Sequence, residues 1–331
     1  MELCSLPDSC DNVRLIETHI SWIILAQHYA FKIKRPVRYA FLDFSLPEQR
    51  KYFCEQEIKL NSRLAPHMYI KVIPVTEAML GGNKNGEKII DYAVQMKRMD
   101  NRLELAEQLK NGSVNQHQID KIARKIAEFH KKTRMIKNAF DTTEFQRNYA
   151  ELLDEKDFIS INLGDKWYEK INSCIKKSNS FLNSRRAYLN ERITRGLRKD
   201  CHGDLSSHNI FLYDNPVIFD CIEFNEDFRY IDVFNEIAFL CADLDFYNRA
   251  DLSEYFYVKY LEEMGLEDDT EGRNLFNYYK SYRANINAKV TMINREKSDE
   301  DRNNPDILKE IKRYLKLMCN YLEAVERISS N

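Results

Sequence analysis

The sequence predicts an α+β chain in two parts, an antiparallel sheet with one helix followed by a larger, mainly helical region. Three observations carry that expectation. Short runs rich in β-branched and aromatic residues mark strands through the first hundred residues. Beyond them apolar residues recur at helical spacing. One stretch interrupts the helical pattern: Cys201 to Asp243 reads as loop, strand, tight turn, strand and helix.

Residues 1 to about 14 read as a lead-in helix or loop. Thr18 to Leu25 is a strand pattern, a turn falls near Gln27-His28, and Tyr29 to Lys34 forms the next strand. Lys32 and Lys34 lie two apart, hence on one face. Leu46 to Leu64 suits an amphipathic helix, with Pro47 in its first turn. Met68–Val75 and Lys88–Met99 are strands around the turn-rich Gly81–Gly86. That turn is not a phosphate-binding P-loop, because Glu87 stands where G-x-x-x-x-G-K-[ST] requires lysine and a strand follows. Asp120–Lys132 is a helix, Met135–Arg198 is helical with interruptions, and aromatic-rich helices cover Tyr255–Tyr260 and Phe276–Tyr282. After a charged loop at Ser298–Pro305, a final amphipathic helix runs to about Ile328.

In the exceptional stretch, Asp204 follows His202-Gly203 and Asn209 comes five positions later. Ile210–Tyr213 and Val217–Phe219 are strands joined by Asp214-Asn215-Pro216, residues with turn chemistry, and Asp220 ends the second strand. Three oxygen-bearing side chains are thereby expected at one edge of a hairpin. The set suits phosphoryl transfer from ATP, which needs positioning and charge neutralisation more than covalent chemistry. Asp204 fits as the base that takes the acceptor's hydroxyl proton. Asn209 and Asp220 fit as ligands of Mg2+, a hard cation that prefers oxygen. Asp-x-x-x-x-Asn is the spacing of the protein-kinase catalytic loop, with His-Gly-Asp here in place of His-Arg-Asp and no Asp-Phe-Gly downstream.

Length and composition agree. A chain of 331 residues accommodates two domains or one two-lobed unit, and 44% hydrophobic residues supply a core for either. A net charge of −2 shows no basic excess, so no nucleic-acid partner is expected. The eight cysteines form no C-x-x-C pair, which reads as free thiols in a reducing compartment. Acidic and polar residues near the start argue against a signal peptide. The mostly apolar run Ile20 to Leu25 is far too short to span a bilayer. A soluble cytoplasmic protein without a membrane partner is expected; its oligomeric state is not legible.

With these residues in view, the chain resembles the aminoglycoside phosphotransferase and choline kinase superfamily, whose loop reads His-Gly-Asp-x-x-x-x-Asn. It is more closely similar to an uncharacterised bacterial phosphotransferase branch marked by ETHISW, a KIK-P-V strand, FLDFS and CHGDL…N…DCIEFN. Those motifs stand here at Glu17–Trp22, Lys32–Val37, Phe41–Ser45 and Cys201–Asn225, and the resemblance runs from Leu15 to about Lys289. Many members carry a further C-terminal P-loop kinase-like domain not seen in this sequence. A departure at Ser206-Ser207, where relatives usually have His or Leu, bears on the substrate side.

The resemblance implies a protein kinase-like two-lobed fold, with a nucleotide-binding lobe at 1–95 and a catalytic and substrate-binding lobe at 96–331. ATP would lie between them. Tyr29-Ala30-Phe31-Lys32 takes the place of kinase Val-Ala-Ile-Lys, which favours Lys32 over Lys34 as the phosphate lysine. Glu57 would pair with it, with Glu55 as runner-up. No glycine-rich loop covers the phosphates, and Thr18, His19 and Ser21 are the candidate donors in its place. Gln95 to Met99, including Met96 and Arg98, becomes the hinge that meets adenine. Glu223, Asn225, Asp232 and Arg283 are the candidate substrate contacts, and Glu236 stands where Asp is commoner. The expected acceptor is a small hydroxylated metabolite such as a sugar or aminoalcohol. A protein kinase, a nucleotidyl transferase, or a non-catalytic nucleotide-binding regulator are the alternatives.

Overall fold

The computed structural model describes residues 13–39, 41–80, 88–295 and 304–329. The Gly81–Gly86 turn, Cys4, Cys10 and most of the Ser298–Pro305 loop lie outside the described residues. In chain order the elements begin with β1 (Arg14–Glu17), β2 (Ser21–Leu25), β3 (Tyr29–Lys34), β4 (Arg38–Tyr39), β5 (Leu42–Asp43), α1 (Pro47–Asn61), β6 (Tyr69–Thr76) and β7 (Ile89–Lys97). Helices α2 (Leu105–Lys110), α3 (Gln116–Lys132), α4 (Thr142–Ala150), α5 (Lys156–Asn162), α6 (Asp165–Ser184) and α7 (Arg186–Thr194) follow. The hairpin region holds β8 (Arg198–Asp200), β9 (Ile210–Phe211), β10 (Val217–Ile218) and β11 (Tyr230–Asp232). The chain continues with α8 (Val233–Phe246), α9 (Ala250–Met264), α10 (Thr270–Asn294) and α11 (Pro305–Ser329). The α+β class is as expected.

Two compact units result. The first comprises residues up to Gln108 together with His202–Asp204 and His208–Arg229; the second holds Leu109–Cys201, Leu205–Ser207 and the chain from Tyr230 onward.

The first unit is built on a five-stranded antiparallel sheet in the order β1-β2-β3-β7-β6. The expected strand at Thr18–Leu25 instead begins at Ser21. Thr18 closes a turn, its N–H and hydroxyl both donating to Ser21 O while its Oγ1 accepts from Ser21 N–H. Helix α1 packs on β6 and β7, but it is not amphipathic in the ordinary sense. Its buried stripe is Arg50, Cys54, Glu57, Leu60 and Asn61, three of them polar. Arg50 donates to Asp91 at 2.9 Å and to the carbonyls of Phe44 and Ser45, tying the helix to β7 and to the chain after β5. Two apolar clusters fill the sheet's faces: Ala30, Cys54, Ala65, Met68, Tyr69, Val94 and Met96 on one, and Ile24, Ala26, Phe31, Ile73, Val75 and Ala93 on the other.

The second unit is helical around α8, in which every residue from Val233 to Leu244 is buried. Such a helix, buried on all sides although it carries Asn235, Glu236 and Asp243, belongs at the centre of a packed bundle. Helices α9, α10 and α11 pack against it. Asp232 caps its N-terminus by accepting from Phe234 N–H at 2.7 Å. The same carboxylate takes a bidentate ion pair from buried Arg192 at 2.7 and 2.8 Å. Six described cysteines are free and buried, with Cys174 and Cys319 facing each other at 3.1 Å.

Candidate active site

The candidate catalytic residues of the loop and hairpin fall within the first unit. Strands β9 and β10 pair antiparallel, Ile210 opposite Ile218, and Phe219 N–H donates to Asn209 O at 3.0 Å. The residue before Asp220 is thereby stitched to Asn209. Asn209 spends its amide hydrogens on Asp204, donating to the backbone O at 3.0 Å and to Oδ2 at 2.8 Å. Its Oδ1 is left as an acceptor, the atom a hard cation would use. The two loop residues are thereby joined directly.

The backbone around these side chains is unusual for stated reasons. Gly203 has φ +90°, and a Cβ there would sit 2.9 Å from Phe228 O and 3.2 Å from Arg229 Cγ. Glycine is the residue that satisfies both demands. His202 is fully buried, its Nε2 donating to Phe219 O at 2.9 Å and its Nδ1 accepting from Asp204 N–H at 3.3 Å. That network selects the neutral Nε2–H tautomer. Asp220 holds φ 62°, a left-handed conformation that Asp tolerates better than most residues. Its N–H donates to Tyr69 Oη at 3.2 Å and that of Cys221 to Asn61 Oδ1 at 2.8 Å.

Asp220 Oδ1 accepts from Lys32 at 2.6 Å. Lys32 also lies 3.0 Å from Glu57 Oε1, and Glu57 Oε2 accepts from Lys34 at 2.8 Å. Lys34 in turn donates to Glu223. The lysines share one glutamate, so the expected choice between them does not arise in the form posed. Lys32, at the partly exposed Asp220, is the one near the open end; Lys34 is fully buried with its ammonium 5.0 Å from the Phe44 ring centroid.

Burial opposes charge on both lysines, but the facing carboxylates outweigh it and raise both ammoniums above their usual range. Burial likewise opposes ionisation of Glu57, and the two lysines overcome it to hold its carboxyl low. Asp220 follows the same balance: burial opposes its charge most, and Lys32, helped by Lys34, overcomes it to hold the carboxyl low. Three carboxylates face two ammoniums, and the surplus falls on Glu223, which burial and the neighbouring Glu57 push up against the pull of Lys34 and Lys32.

Burial also pushes the His202 imidazole down to about 4. The unfolded chain takes up this proton near pH 6.5 and the folded one near 4, so stability falls as pH drops through that window. The difference amounts to about 3 kcal/mol, and thermal melts from pH 7 to 4 should show a shallower decline for His202→Gln than for the parent.

The remaining sequence candidates are placed differently. Ser21 is fully buried opposite Lys34, with its Oγ making no hydrogen bond among the described residues. Met96 belongs to the apolar cluster around Ala30. Arg98 N–H donates to His28 O and its guanidinium to Ala26 O at 2.7 Å. Among residues 97–100, the N–H groups of Lys97, Arg98 and Asp100 are bonded to Met68 O, His28 O and Tyr213 Oη, whereas Met99 N–H makes no such bond to a described residue. Glu223 is held by Lys34. Asn225 caps a short 3-10 turn by accepting from Asp227 N–H at 3.0 Å.

In the second unit Asp232 is committed to its cap and Arg192. Arg283 is buried, donating to Asn235 O at 3.2 Å. Glu236 lies 4.0 Å from buried His130, and Ser207 binds Asp243 through both N–H and Oγ at 2.7 and 2.9 Å. Sequence reading missed Asn61 and Tyr69, which hold the Asp220 backbone. Asn61 follows Glu57 by one helical turn, a spacing that put it on the buried face in plain view.

No family model matches the chain. An uncharacterized protein of Mycobacterium tuberculosis is 33% identical over 286 residues, 84% of this chain and 54% of the relative, and one from Mycobacterium bovis matches equally. The chain thus spans about half the length of the curated relatives it matches. Among solved structures, a choline/ethanolamine kinase family protein from Mesorhizobium loti superposes with a TM-score of 0.57 at 13% identity, covering 98% of this chain and 96% of that one. Choline kinase from Cryptosporidium parvum gives 0.54 at 11% identity, covering 96% and 90%. The GDP complex of aminoglycoside 2'-phosphotransferase-IIIa gives 0.53 at 14%, covering 97% and 96%. The fold is therefore kinase-like, of the type shared by choline/ethanolamine kinases and aminoglycoside phosphotransferases.

Proposed function

We propose that this protein is an ATP- and Mg2+-dependent phosphotransferase of the aminoglycoside phosphotransferase and choline kinase superfamily, acting on a hydroxyl of a small cytoplasmic metabolite. The observation that supports it most is the pairing at the hairpin. Asn209 braces Asp204 while keeping Oδ1 for a cation, and Asp220 meets the Lys32–Glu57 pair. Each part of a phosphoryl-transfer site has a candidate: Asp204 as base, Asn209 and Asp220 as metal ligands, Lys32 for phosphate. Bound Mg2+ would neutralise charge on the transferred phosphoryl group.

The nucleotide-binding lobe is proposed at 1–95 and the catalytic lobe at 96–331. Met99 N–H is the donor offered to an adenine edge; the Met99 side chain, like Leu25, packs on the apolar cluster that holds Ala30 and Met96. Asn225 stands on the acceptor side, while Asp232 and Arg283 serve the packing of α8. The reading takes a sugar or aminoalcohol as acceptor because those are hydroxylated and small, as are choline and the aminoglycosides that name the fold's neighbours.

The test is a metabolite-library screen with γ-labelled ATP and, in parallel, γ-labelled GTP and α-labelled ATP. Label passing from the γ position to a small molecule is the expected result. Label appearing on protein from the α position would replace phosphorylation by nucleotidyl transfer. Wild-type protein that binds no nucleotide with Mg2+ would end the catalytic reading.

A further inference from the structure

Asp220, Lys32, Glu57, Lys34 and Glu223 form an alternating chain of five charges. Its two ends lie three residues apart on the same segment, which leaves β10 and turns at left-handed Asp220. The segment therefore meets β3 and α1 twice. The two attachments differ in kind. Asp220 is two-fifths exposed in its side chain and Lys32 a tenth, whereas Lys34 is closed off completely and Glu223 nearly so. A fully enclosed ammonium reaches no phosphate, so Lys34 does not duplicate Lys32. Its two carboxylate partners use it as a bridge from α1 to the segment.

We propose that Lys34 and Glu223 are positioning residues that keep the 220–223 segment clasped to β3 and α1 when Lys32 leaves Asp220 for nucleotide phosphate, so that Asp220 remains set for the divalent cation. The inference rests on the phosphotransferase reading and deepens it. Once Lys32 lets go, the segment keeps Tyr69 Oη at 3.2 Å, Asn61 Oδ1 at 2.8 Å, the guanidiniums of Arg63 on Cys221 Sγ and Arg229 on Ile222 O, and the enclosed ion pair. Of these, the ion pair joins opposite charges across to β3, and it sits where water does not screen it. Ile222 N–H, donating to His202 O at 3.2 Å, carries the same segment back to the catalytic loop. Glu223, a substrate candidate on sequence grounds, is thus assigned to holding a metal ligand in place.

Glu223→Gln keeps the side chain's shape and removes its charge. A second variant, Lys34→Met/Glu223→Gln, neutralises both partners and avoids leaving an unpaired buried charge. Mn2+ affinity in the presence of ATP, followed by paramagnetic resonance of the free ion, should weaken about tenfold or more in both, in the range seen when groups behind a metal ligand are changed. Amide exchange in 219–223 should quicken in parallel. Binding of a fluorescent ATP analogue in EDTA should stay within about twofold, since neither residue meets the nucleotide. Unchanged Mn2+ affinity with parental exchange would overturn the clasp, and so would equal losses with and without metal, which would mean general disruption. Wild-type protein that binds neither nucleotide nor Mn2+ would defeat the phosphotransferase reading and this inference with it, and that result is read before any variant is made.

Discussion

Asp204→Asn is expected to cut phosphoryl transfer about 10³-fold, within the range that a positioned general base contributes. Nucleotide binding and melting temperature should stay close to the parent's. The geometry explains why the loss would be selective. Asn209 donates to Asp204 through both the backbone carbonyl and Oδ2. An asparagine at 204 keeps a side-chain oxygen for that bond and the same backbone carbonyl, so the loop retains its brace. What disappears is the capacity to accept a hydroxyl proton. Single-turnover assays on the acceptor found in the metabolite screen, with nucleotide affinity measured alongside, separate the two effects. Turnover within tenfold of wild type would remove Asp204 from the role of base.

Glu57→Leu is expected to be the most destabilising single change in the first unit, by about 3–5 kcal/mol, because it strips a shared partner from two enclosed lysines. Each oxygen of Glu57 serves one of them, at 3.0 Å for Lys32 and 2.8 Å for Lys34. Asp220 and Glu223 would then have to satisfy the lysines alone, at the two ends of the broken chain. Chemical denaturation should show the midpoint shift with little change in slope. Glu55→Leu, one position off the buried face, is the control and should cost less than about 1 kcal/mol. A Glu57 variant as stable as that control would mean the charge chain does not hold the unit together.

How much of this was legible beforehand depended on the kind of signal. The hairpin was readable because each residue carries its own local chemistry: a turn-forming Asp-Asn-Pro and a strand on either side. Helix α1 was expected for partly wrong reasons. Apolar periodicity pointed to Phe53, Cys54, Ile58, Leu60 and Leu64, of which Cys54, Leu60 and Leu64 are buried, yet the buried stripe also carries Arg50, Glu57 and Asn61. Charged residues look solvated in a sequence, and only tertiary partners reveal that they are inside. The same blindness separated Lys34 from Glu223, which are 189 positions apart. Asp232 and Arg283 entered as substrate candidates through the resemblance alone. In the structure one caps α8 and grips Arg192, and the other donates to a backbone carbonyl. The turn at Thr18 escaped a strand reading because its side chain competes with the ladder for backbone groups.

Position 220 narrows the genetic alphabet almost to a single letter. The backbone there excludes branched and bulky residues, and glycine or asparagine would fit it while surrendering the negative charge. Glutamate would keep the charge, but it gives up the short side chain that makes the left-handed geometry tolerable. Saturation mutagenesis at this codon, sorted by folding and by cation uptake as separate selections, should return overlapping lists with aspartate as their common member.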